Sequence, residues 1–225
     1  GILADANAVR IAGAYPAGLI TALTVQDTHN VHAVHAVDSA VLDAQWQILC
    51  ADMPIAAVKV GLLADAQQTQ WLMARLSTLC SERFIPVVLD PILRAGGGKN
   101  LANAALMEAM QALATMCTLV TPNAYEAQLL GWQQGSLAQH TLISSAQVDE
   151  KQRIHEWYTG QAWQKRFSTP QLPHIYHGSG CRLASSCAAA LAQGLTVDQA
   201  IARALTAVHT QLQQAQPLGG GQWLS

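Results

Sequence analysis

Charged residues are scarce in this sequence of 225 residues. Asp, Glu, Lys and Arg make up 12% of it, about half of the roughly 25% that is typical of soluble domains. Disorder requires high charge and low hydrophobicity, whereas 51% of these residues are hydrophobic. Only 12 residues are Lys or Arg and the formal net charge is −2, so the basic face that binds nucleic acid is lacking. We expect a folded protein that binds no nucleic acid.

Long apolar stretches and paired cysteine motifs are also lacking. No stretch approaches the roughly 18 consecutive apolar residues that predict a membrane span, and no basic start precedes an apolar stretch with a cleavage site, so we expect no signal peptide. The cysteines are odd in number and form no C-x-x-C pair, which is typical of a cytoplasmic protein and argues against a disulfide framework or a zinc site. They are Cys50, Cys80, Cys117, Cys181 and Cys187.

Three histidines lie three residues apart, which is close to the spacing of metal ligands. His29, His32 and His35 belong to the sequence NVHAVHAV, which alternates polar and apolar residues as an edge strand or a loop does. Because no Cys or carboxylate cluster accompanies them, an ordinary surface is favoured over a metal site.

Short β-branched stretches alternate with longer stretches rich in Ala, Leu and Gln. The predicted strands are GLITALTVQ, AAVKVGLL, PVVLDPIL and TLV, with helices after them and two further helices from residue 184 onward. This order predicts an α/β fold with a mostly parallel sheet that is covered on both faces. Residues 131–136 and 149–157 are interpreted as loops. No linker divides the chain, so residues 1–225 are expected to form one domain.

Candidate functional residues follow the predicted strands, because ligands of parallel α/β sheets bind beyond the carboxyl ends of the strands. Asp90 follows one buried strand directly, where its carboxylate could hold Mg²⁺ or a water molecule, or could cap the next turn. The other candidates by this criterion are Gln26 and Asp27, Gly61 and Leu62, and residues 121–126.

The sequence HGSGC precedes a strongly helical stretch. Gly178 and Gly180 allow the backbone to approach a ligand closely, and the first N–H groups of the helix, with its dipole, favour an anion there. Ser179 lies between them, and Cys181 follows at the start of the helix, a position that lowers the pKa of a thiol. This is either an anion hole for a phosphoryl group or an ordinary glycine turn beside a small buried cysteine.

The sequence TPNAYEA follows the predicted strand TLV. Asn123 and Glu126 are three residues apart, so they could form a capping box at the start of a helix. Alternatively, their amide and carboxylate could hold a hydrated Mg²⁺, which takes few direct protein ligands.

These features occur in the same order in one known family. From GILAD at residue 1 through GLITALTVQDT, KVGLL, VVLDPIL, LVTPNAYEA and HGSGC to GGG near the C-terminus, the chain resembles the hydroxymethylpyrimidine and phosphomethylpyrimidine kinases of thiamine biosynthesis. Most ribokinase-like enzymes carry Asp where this chain has Cys181. The four residues GSGC (178–181) are therefore among the most specific parts of the resemblance. The resemblance implies a three-layer ribokinase-like fold and ATP- and Mg²⁺-dependent phosphorylation of the pyrimidine alcohol and then of its monophosphate.

The resemblance also assigns roles to residues around the substrate. Asp5 and Gln26 would hydrogen-bond the aminopyrimidine ring and its hydroxymethyl group, and Leu62 would pack against the ring. Residues 178–180 would form the anion hole, and Cys181 would assist attack by the substrate hydroxyl on the γ-phosphate of ATP.

The resemblance places further residues at the nucleotide. Asp90, Asn123 and Glu126 would organise Mg²⁺ and the phosphates, with Asp90 and Glu126 acting on the metal through water. Ser145 stands in the segment TLISSAQ, where the family usually has K-G-G-H, and would contact the nucleotide. Lys59 is interpreted as structural or as steering phosphate.

The chain departs from the family pattern in two places. Family members have a strand and a Gly-rich loop before the equivalent of residue 1 and a longer segment near residues 131–137, so we expect both pieces to be missing here. Ser144 and Ser145 resemble pyridoxal kinases, which leaves a pyridoxal kinase or a dual-specificity enzyme as one alternative. The shortened segments leave a non-catalytic pyrimidine-binding protein as another. The resemblance also implies a homodimer.

Overall fold

The structure is a computed structural model that describes residues 1–94 and 103–224. The helices in these ranges are α1 (Ile2–Ile11), α2 (Ser39–Asp52), α3 (Ala66–Leu79), α4 (Ala104–Ala114), α5 (Ala124–Leu130), α6 (Ser179–Ala192) and α7 (Val197–Gln213). The strands are β1 (Ala22–Gln26), β2 (Val31–Ala36), β3 (Val58–Val60), β4 (Val87–Leu89), β5 (Leu119–Val120), β6 (His140–Val148), β7 (Gln152–Thr159) and β8 (Ala162–Pro170). Leu101 and Ala102, with which the predicted helix after the strand PVVLDPIL begins, lie outside the described residues.

The central sheet has the strand order β3-β4-β5-β6-β7-β8. The pairs from β3 to β6 are parallel, whereas β6, β7 and β8 form an antiparallel meander. Helices follow β3, β4 and β5, as expected for parallel strands joined by crossovers. The predicted α/β fold with a mostly parallel sheet is confirmed.

Side chains of the parallel strands alternate between two hydrophobic cores. Val87 and Leu89 belong to a core that also contains Leu72 and Leu76 of α3 and Met110 of α4. Val88, which points the opposite way, belongs to the second core with residues of α6 and α7 such as Cys187 and Ile201. Because successive strand residues face opposite sides, this apolar run is buried on both faces and the molecule has three layers.

The interpretation of residues 149–157 as a loop was wrong, because most of the segment forms β7. Its charged residues have partners on neighbouring segments: Arg153 Nε donates to Gln171 Oε1 at 2.7 Å, and Arg166 Nη2 donates to Glu156 Oε1 at 3.1 Å. Strand β8 is almost entirely exposed, so it lacks the alternating apolar residues that predict a strand. Charge and weak periodicity together concealed the antiparallel half of the sheet.

The first predicted strand is shorter than expected and lies outside the central sheet. It begins at Ala22 instead of Gly18, and β1 pairs only with β2 in an antiparallel two-stranded ribbon. His32 and His35 are exposed in β2, and His32 Nε2 lies 2.8 Å from Asp27 Oδ2. Gln26 therefore ends a ribbon strand rather than a strand of the sheet.

Across the described ranges, no helix is both long enough and apolar enough to span a lipid bilayer.

Candidate active site

A buried lysine joins three elements at the carboxyl end of the parallel strands. Lys59 lies in β3, and its Nζ is 2.9 Å from Asp5 Oδ1 of α1 and 3.7 Å from Asp90 Oδ2, just after β4. The Asp90 N–H donates to the Val60 carbonyl at 2.9 Å, which extends the β3–β4 pairing and sets the carboxylate beside the lysine. Ser185 of α6 donates its hydroxyl to Asp5 Oδ1 at 2.8 Å. The sequence-predicted residues Asp5 and Asp90 thus share one cation.

The charged groups of this cluster shift the pKa values of one another. Burial disfavours the charged form of Lys59, but attraction to the thiolate form of Cys181, which exists only at high pH, and to Asp90 and Asp5 outweighs it and holds the Lys59 pKa above its usual value. Burial raises the pKa of Asp90, and the charge of Lys59 acts against that rise. Asp90 Oδ2 is buried without a hydrogen-bond partner among the described residues. This oxygen can therefore accept a ligand.

Cys181 lies in the first turn of α6 and is half-buried beside Asp90. Burial, followed by the negative charge of Asp90, raises the pKa of its thiol to about 11, although the positive charge of Lys59 acts in the opposite direction. The expectation that the helix start lowers this pKa was wrong, because a helix dipole contributes only about 0.3–1 kcal/mol, less than the burial and the neighbouring carboxylate. Cys181 is a protonated thiol at neutral pH.

The three residues before Cys181 form the start of α6 as the sequence predicts. Gly178 is the N-cap with φ 75° and has no side chain to cap the helix. A Cβ at Gly178 would meet Arg182 Nη1 at 2.9 Å and the Ala4 Cβ at 3.1 Å. Glycine is therefore required there both for its left-handed backbone and for space. The first N–H groups of such a helix are left for an anion.

Asn123 and Glu126 form the predicted capping box of α5. The Glu126 N–H donates to Asn123 Oδ1 at 2.9 Å, and the Asn123 N–H donates to Glu126 Oε2 at 3.0 Å. Burial, and then the negative charge of Asp90, raises the pKa of Glu126 to about 8. Two buried carboxyls that oppose each other's ionisation suit a divalent cation, because Mg²⁺ prefers carboxylate oxygens. The capping and ligand interpretations are therefore compatible.

A pocket opens beside this edge on the antiparallel side of the sheet. Ser179 and Gly180 line it at one end, so it is continuous with the start of α6. Other residues that line it include Ser145, Arg153, His155, Thr169 and Tyr176, with Leu205 and Val208 of α7. The sequence-predicted Ser145 thus shares a pocket with the predicted anion hole.

His155 is the buried polar group of this pocket that sequence reasoning missed. Ser145 N–H donates to His155 Nδ1 at 3.3 Å, and His155 Nε2 lies 3.1 Å from Thr169 Oγ1. Burial, and then the charge of Arg153, lowers the pKa of His155 to about 4. The imidazole is neutral at physiological pH.

Gln26 belongs to the ribbon of β1 and β2, and Leu62 is hydrogen-bonded to the segment that leads into it. Gln26 is exposed at the end of β1, and the Leu62 carbonyl accepts a hydrogen bond from Thr21 Oγ1, just before that strand. The C-terminal segment joins the far end of the ribbon to the start of α6, because Gln222 N–H donates to the Thr28 carbonyl at 2.9 Å and Gln222 Oε1 lies 3.2 Å from His177 Nδ1.

Two residues that were not predicted as site residues, Lys59 (interpreted as structural or as steering phosphate) and Ser185, did have a signal in the sequence. Lys59 is a lysine inside an apolar strand, where a buried cation needs carboxylate partners. Ser185 follows Cys181 by four residues, so both lie on one face of a helix. His155 had no such signal, since its strand was interpreted as a loop.

A mostly parallel sheet that is covered by helices on both faces, with the glycine-containing start of α6 and buried carboxylates at the carboxyl ends of its strands, defines a three-layer ribokinase-like fold. Solved structures agree with this fold. Pyridoxal kinase from Bacillus subtilis in an ADP complex superposes with a TM-score of 0.85 at 20% identity, covering 100% of this chain and 91% of that chain. Phosphomethylpyrimidine kinase from Clostridium difficile superposes with a TM-score of 0.77 at 21% identity, covering 94% and 93%.

The sequence profile of the phosphomethylpyrimidine kinase family matches residues 1–141 and 134–224. The chain belongs to this family. It is 30% identical over 240 residues to the hydroxymethylpyrimidine/phosphomethylpyrimidine kinase of Synechococcus elongatus, covering 99% of this chain and 89% of that protein. It is 32% identical over 237 residues to the thiamine biosynthesis bifunctional protein ThiED of Geobacter sulfurreducens, covering 98% of this chain. The chain spans 48% of the length of that bifunctional relative.

Proposed function

We propose that the protein transfers the γ-phosphoryl group of ATP to the hydroxymethyl group of 4-amino-5-hydroxymethyl-2-methylpyrimidine and then to its monophosphate. The observation that carries the proposal is the start of α6, which has no side-chain cap and lies between the cluster of Lys59, Asp90 and Cys181 and the pocket that Ser179 and Gly180 help to line. Membership of the phosphomethylpyrimidine kinase family supports the choice of substrate.

In this reaction the substrate oxygen forms a bond to the γ-phosphorus while the bond from that phosphorus to the β-bridging oxygen breaks and ADP leaves. Residues 178–180 bind the oxygens of the transferring group with backbone N–H groups, where positioning and charge stabilisation provide most of the catalysis. Cys181 remains a thiol and assists by hydrogen bonding to the attacking hydroxyl, whose proton passes to solvent water as the new bond to phosphorus forms. In the same proposal, Asp5, Gln26 and Leu62 hold the pyrimidine.

Mg²⁺ is the metal that we propose for this site. The unpartnered oxygen of Asp90 and the buried carboxyl of Glu126 would hold it, in part through water, and Asn123 keeps Glu126 in place through the capping box. When bound, the ion neutralises charge on the nucleotide phosphates. Ser145 contributes to the nucleotide pocket.

The proposal also includes a homodimer in the cytoplasm. Leu23 and Val25 of β1 are 58% and 54% exposed, so the ribbon presents an apolar face to a second copy. All five cysteines are free thiols, which fits a reducing compartment. Size-exclusion chromatography with light scattering would test the dimer.

The experiment that tests the activity is a competition assay with Mg²⁺-ATP, hydroxymethylpyrimidine and pyridoxal in one mixture, read by mass spectrometry. We expect the pyrimidine mono- and diphosphates. Pyridoxal phosphate as the main product would favour the pyridoxal kinase alternative, which the similarity to solved pyridoxal kinases motivates. Pyrimidine binding by calorimetry without any product would favour a non-catalytic binding protein.

A Cys181→Ala variant tests the role of the thiol within this activity. We expect kcat to fall far more than the KM for ATP rises, because the thiol acts on the attacking group and not on nucleotide binding. Unchanged kcat would assign the catalysis to the anion hole alone.

A further inference from the structure

Ser145 has a backbone conformation that its neighbours must maintain. Its φ is 50°, and it is the non-glycine residue with positive φ among those the structure describes. A side chain disfavours this left-handed region, which glycine enters freely. Ser145 lies where the ladder between β6 and β7 is interrupted, between Ile143 and Gln147, so regular strand pairing does not fix it.

The group that holds Ser145 is the ring of His155 from the adjacent strand. His155 Nδ1 accepts the Ser145 N–H at 3.3 Å. Since Nδ1 is an acceptor, the proton of the neutral ring lies on Nε2, which faces Thr169 Oγ1 at 3.1 Å. His155 is only 5% exposed, so the ring has little freedom to leave this arrangement.

All three residues line the pocket that is continuous with the start of α6, together with Ser179 and Gly180. We propose that His155 is a positioning residue for the nucleotide: it fixes the left-handed backbone of Ser145 and thereby the wall of the pocket. This inference rests on the proposed function in assigning the pocket to the nucleotide. Thr169 orients the His155 ring and so acts on Ser145 only through that ring.

Two substitutions of His155 separate its two nitrogens. In Asn, the side-chain oxygen lies as many bonds from Cβ as Nδ1 does, so His155→Asn keeps an acceptor for the Ser145 N–H. In Gln, the side-chain oxygen and nitrogen lie as many bonds from Cβ as Nε2 of histidine does. His155→Gln therefore keeps a hydrogen-bond partner for Thr169 Oγ1 but removes the acceptor for the Ser145 N–H. We expect His155→Gln to weaken the binding of Mg²⁺-ADP about threefold to tenfold, as for one lost hydrogen bond, and His155→Asn to weaken it less than about twofold.

Ser145 supplies the rescue. Ser145→Gly adopts positive φ without the help of His155, so in that background His155→Gln should weaken Mg²⁺-ADP binding less than about twofold. Ser145→Ala is the matched control, because it removes the hydroxyl but keeps Cβ. In that background the effect of His155→Gln should remain about threefold to tenfold.

The measurement is calorimetric titration of each full-length variant with Mg²⁺-ADP, with urea unfolding to verify that each is folded. The inference would be overturned if His155→Asn and His155→Gln bound Mg²⁺-ADP with equal affinity. It would also be overturned if His155→Gln weakened Mg²⁺-ADP binding as much in the Ser145→Gly background as in the unaltered protein. Absence of ADP binding by the unaltered protein would also overturn it. Phosphate transfer to the pyrimidine is assayed separately: ADP binding without transfer contradicts the proposed function, while the affinities of the variants still decide the role of His155. With turnover, the KM for ATP should follow these affinities and the KM for the pyrimidine should not change.

Discussion

The parallel and antiparallel halves of the central sheet present different chemistry on the two sides of the start of α6. Where β3 and β4 end, the polar groups form a partly buried ion-pair cluster, in which Lys59 lies between Asp5 and Asp90. Where β6, β7 and β8 line the pocket, the buried polar groups are neutral, with His155 between Ser145 and Thr169. Ion pairs of the antiparallel half, such as Lys165 with Asp198, lie at the exposed surface.

Under the proposed function, this difference would give the two halves separate roles. A transferring phosphoryl group carries several charges, and fixed charges in a dry site act on it strongly. A heterocyclic base needs shape and a few hydrogen bonds, which are weaker and depend on backbone position. Substitutions in the parallel half should therefore have large electrostatic effects, and those in the antiparallel half smaller geometric ones.

The largest effect is expected from removing the shared cation. Lys59→Met leaves Asp5 and Asp90 without their positive partner, and breaking a buried pair is strongly destabilising. We expect the free energy of unfolding, measured with urea in the absence of nucleotide, to fall by about 3 kcal/mol.

Lys165→Met is the matched control, since its pair with Asp198 has the same 2.9 Å distance but side chains that are 50% and 43% exposed. It should lose less than about 1 kcal/mol. Equal losses in the two variants would remove the distinction between buried and exposed charge.

Gly178→Ala tests the anion hole at the boundary of the two halves. The added Cβ would crowd Arg182 and Ala4 and disfavour the φ of 75°. Displaced N–H groups should lower kcat about 100-fold in the phosphate-transfer assay, as for the loss of an oxyanion donor.

Gly194 provides the control, because it also has positive φ (82°) but lies beyond the other end of α6 with nothing within 4 Å of a Cβ. Gly194→Ala should lose about 1 kcal/mol of stability and keep its kcat. A similar fall in kcat in both variants would show that stability, and not the anion hole, controls turnover.

The antiparallel half should respond to acid through His155. Its pKa is about 4 in the folded protein, against 6.5 as the ordinary value, so the unfolded chain binds a proton first as the pH falls. The stability from the neutral ring is complete above pH 6.5 and is lost as the pH falls toward 4. Between pH 6.5 and pH 4, the free energy of unfolding of the unaltered protein should fall by on the order of 2 kcal/mol more than that of His155→Asn. Urea unfolding at each pH measures this difference. Parallel pH profiles of the two proteins would show that this ring is not buried in neutral form.

The smallest effect is expected at the ribbon, outside both halves. Gln26 is exposed at the end of β1, and Gln26→Ala should raise the KM for the pyrimidine about fivefold with little change in kcat, as for one lost hydrogen bond. An unchanged KM in steady-state kinetics would show that the ring docks elsewhere.

The sequence predicted the parallel half of the sheet better than the antiparallel half, and the reason is physical. The continuous apolar runs around β3 and β4 and the signal of Asn123 with Glu126 are local patterns, and the structure contains both the strands and the capping box. Strands β7 and β8 form through pairing with each other, and their charges are satisfied across strands, as Arg166 and Glu156 are. Such pairing is not a local pattern, so periodicity could not reveal it.

The sequence by itself determined the alternation of strands and helices, the glycines that begin α6 and the residues that follow each strand, because these depend on near neighbours in the chain. Only the tertiary structure decided the ionisation of the site. Burial beside Asp90 keeps Cys181 a thiol, although its place at a helix start indicated a thiolate. Tertiary structure alone also brought Ser185 to Asp5 and His155 to Ser145. The pKa values and backbone conformations of this cleft arise from groups that are distant in sequence, since desolvation and charge act through space.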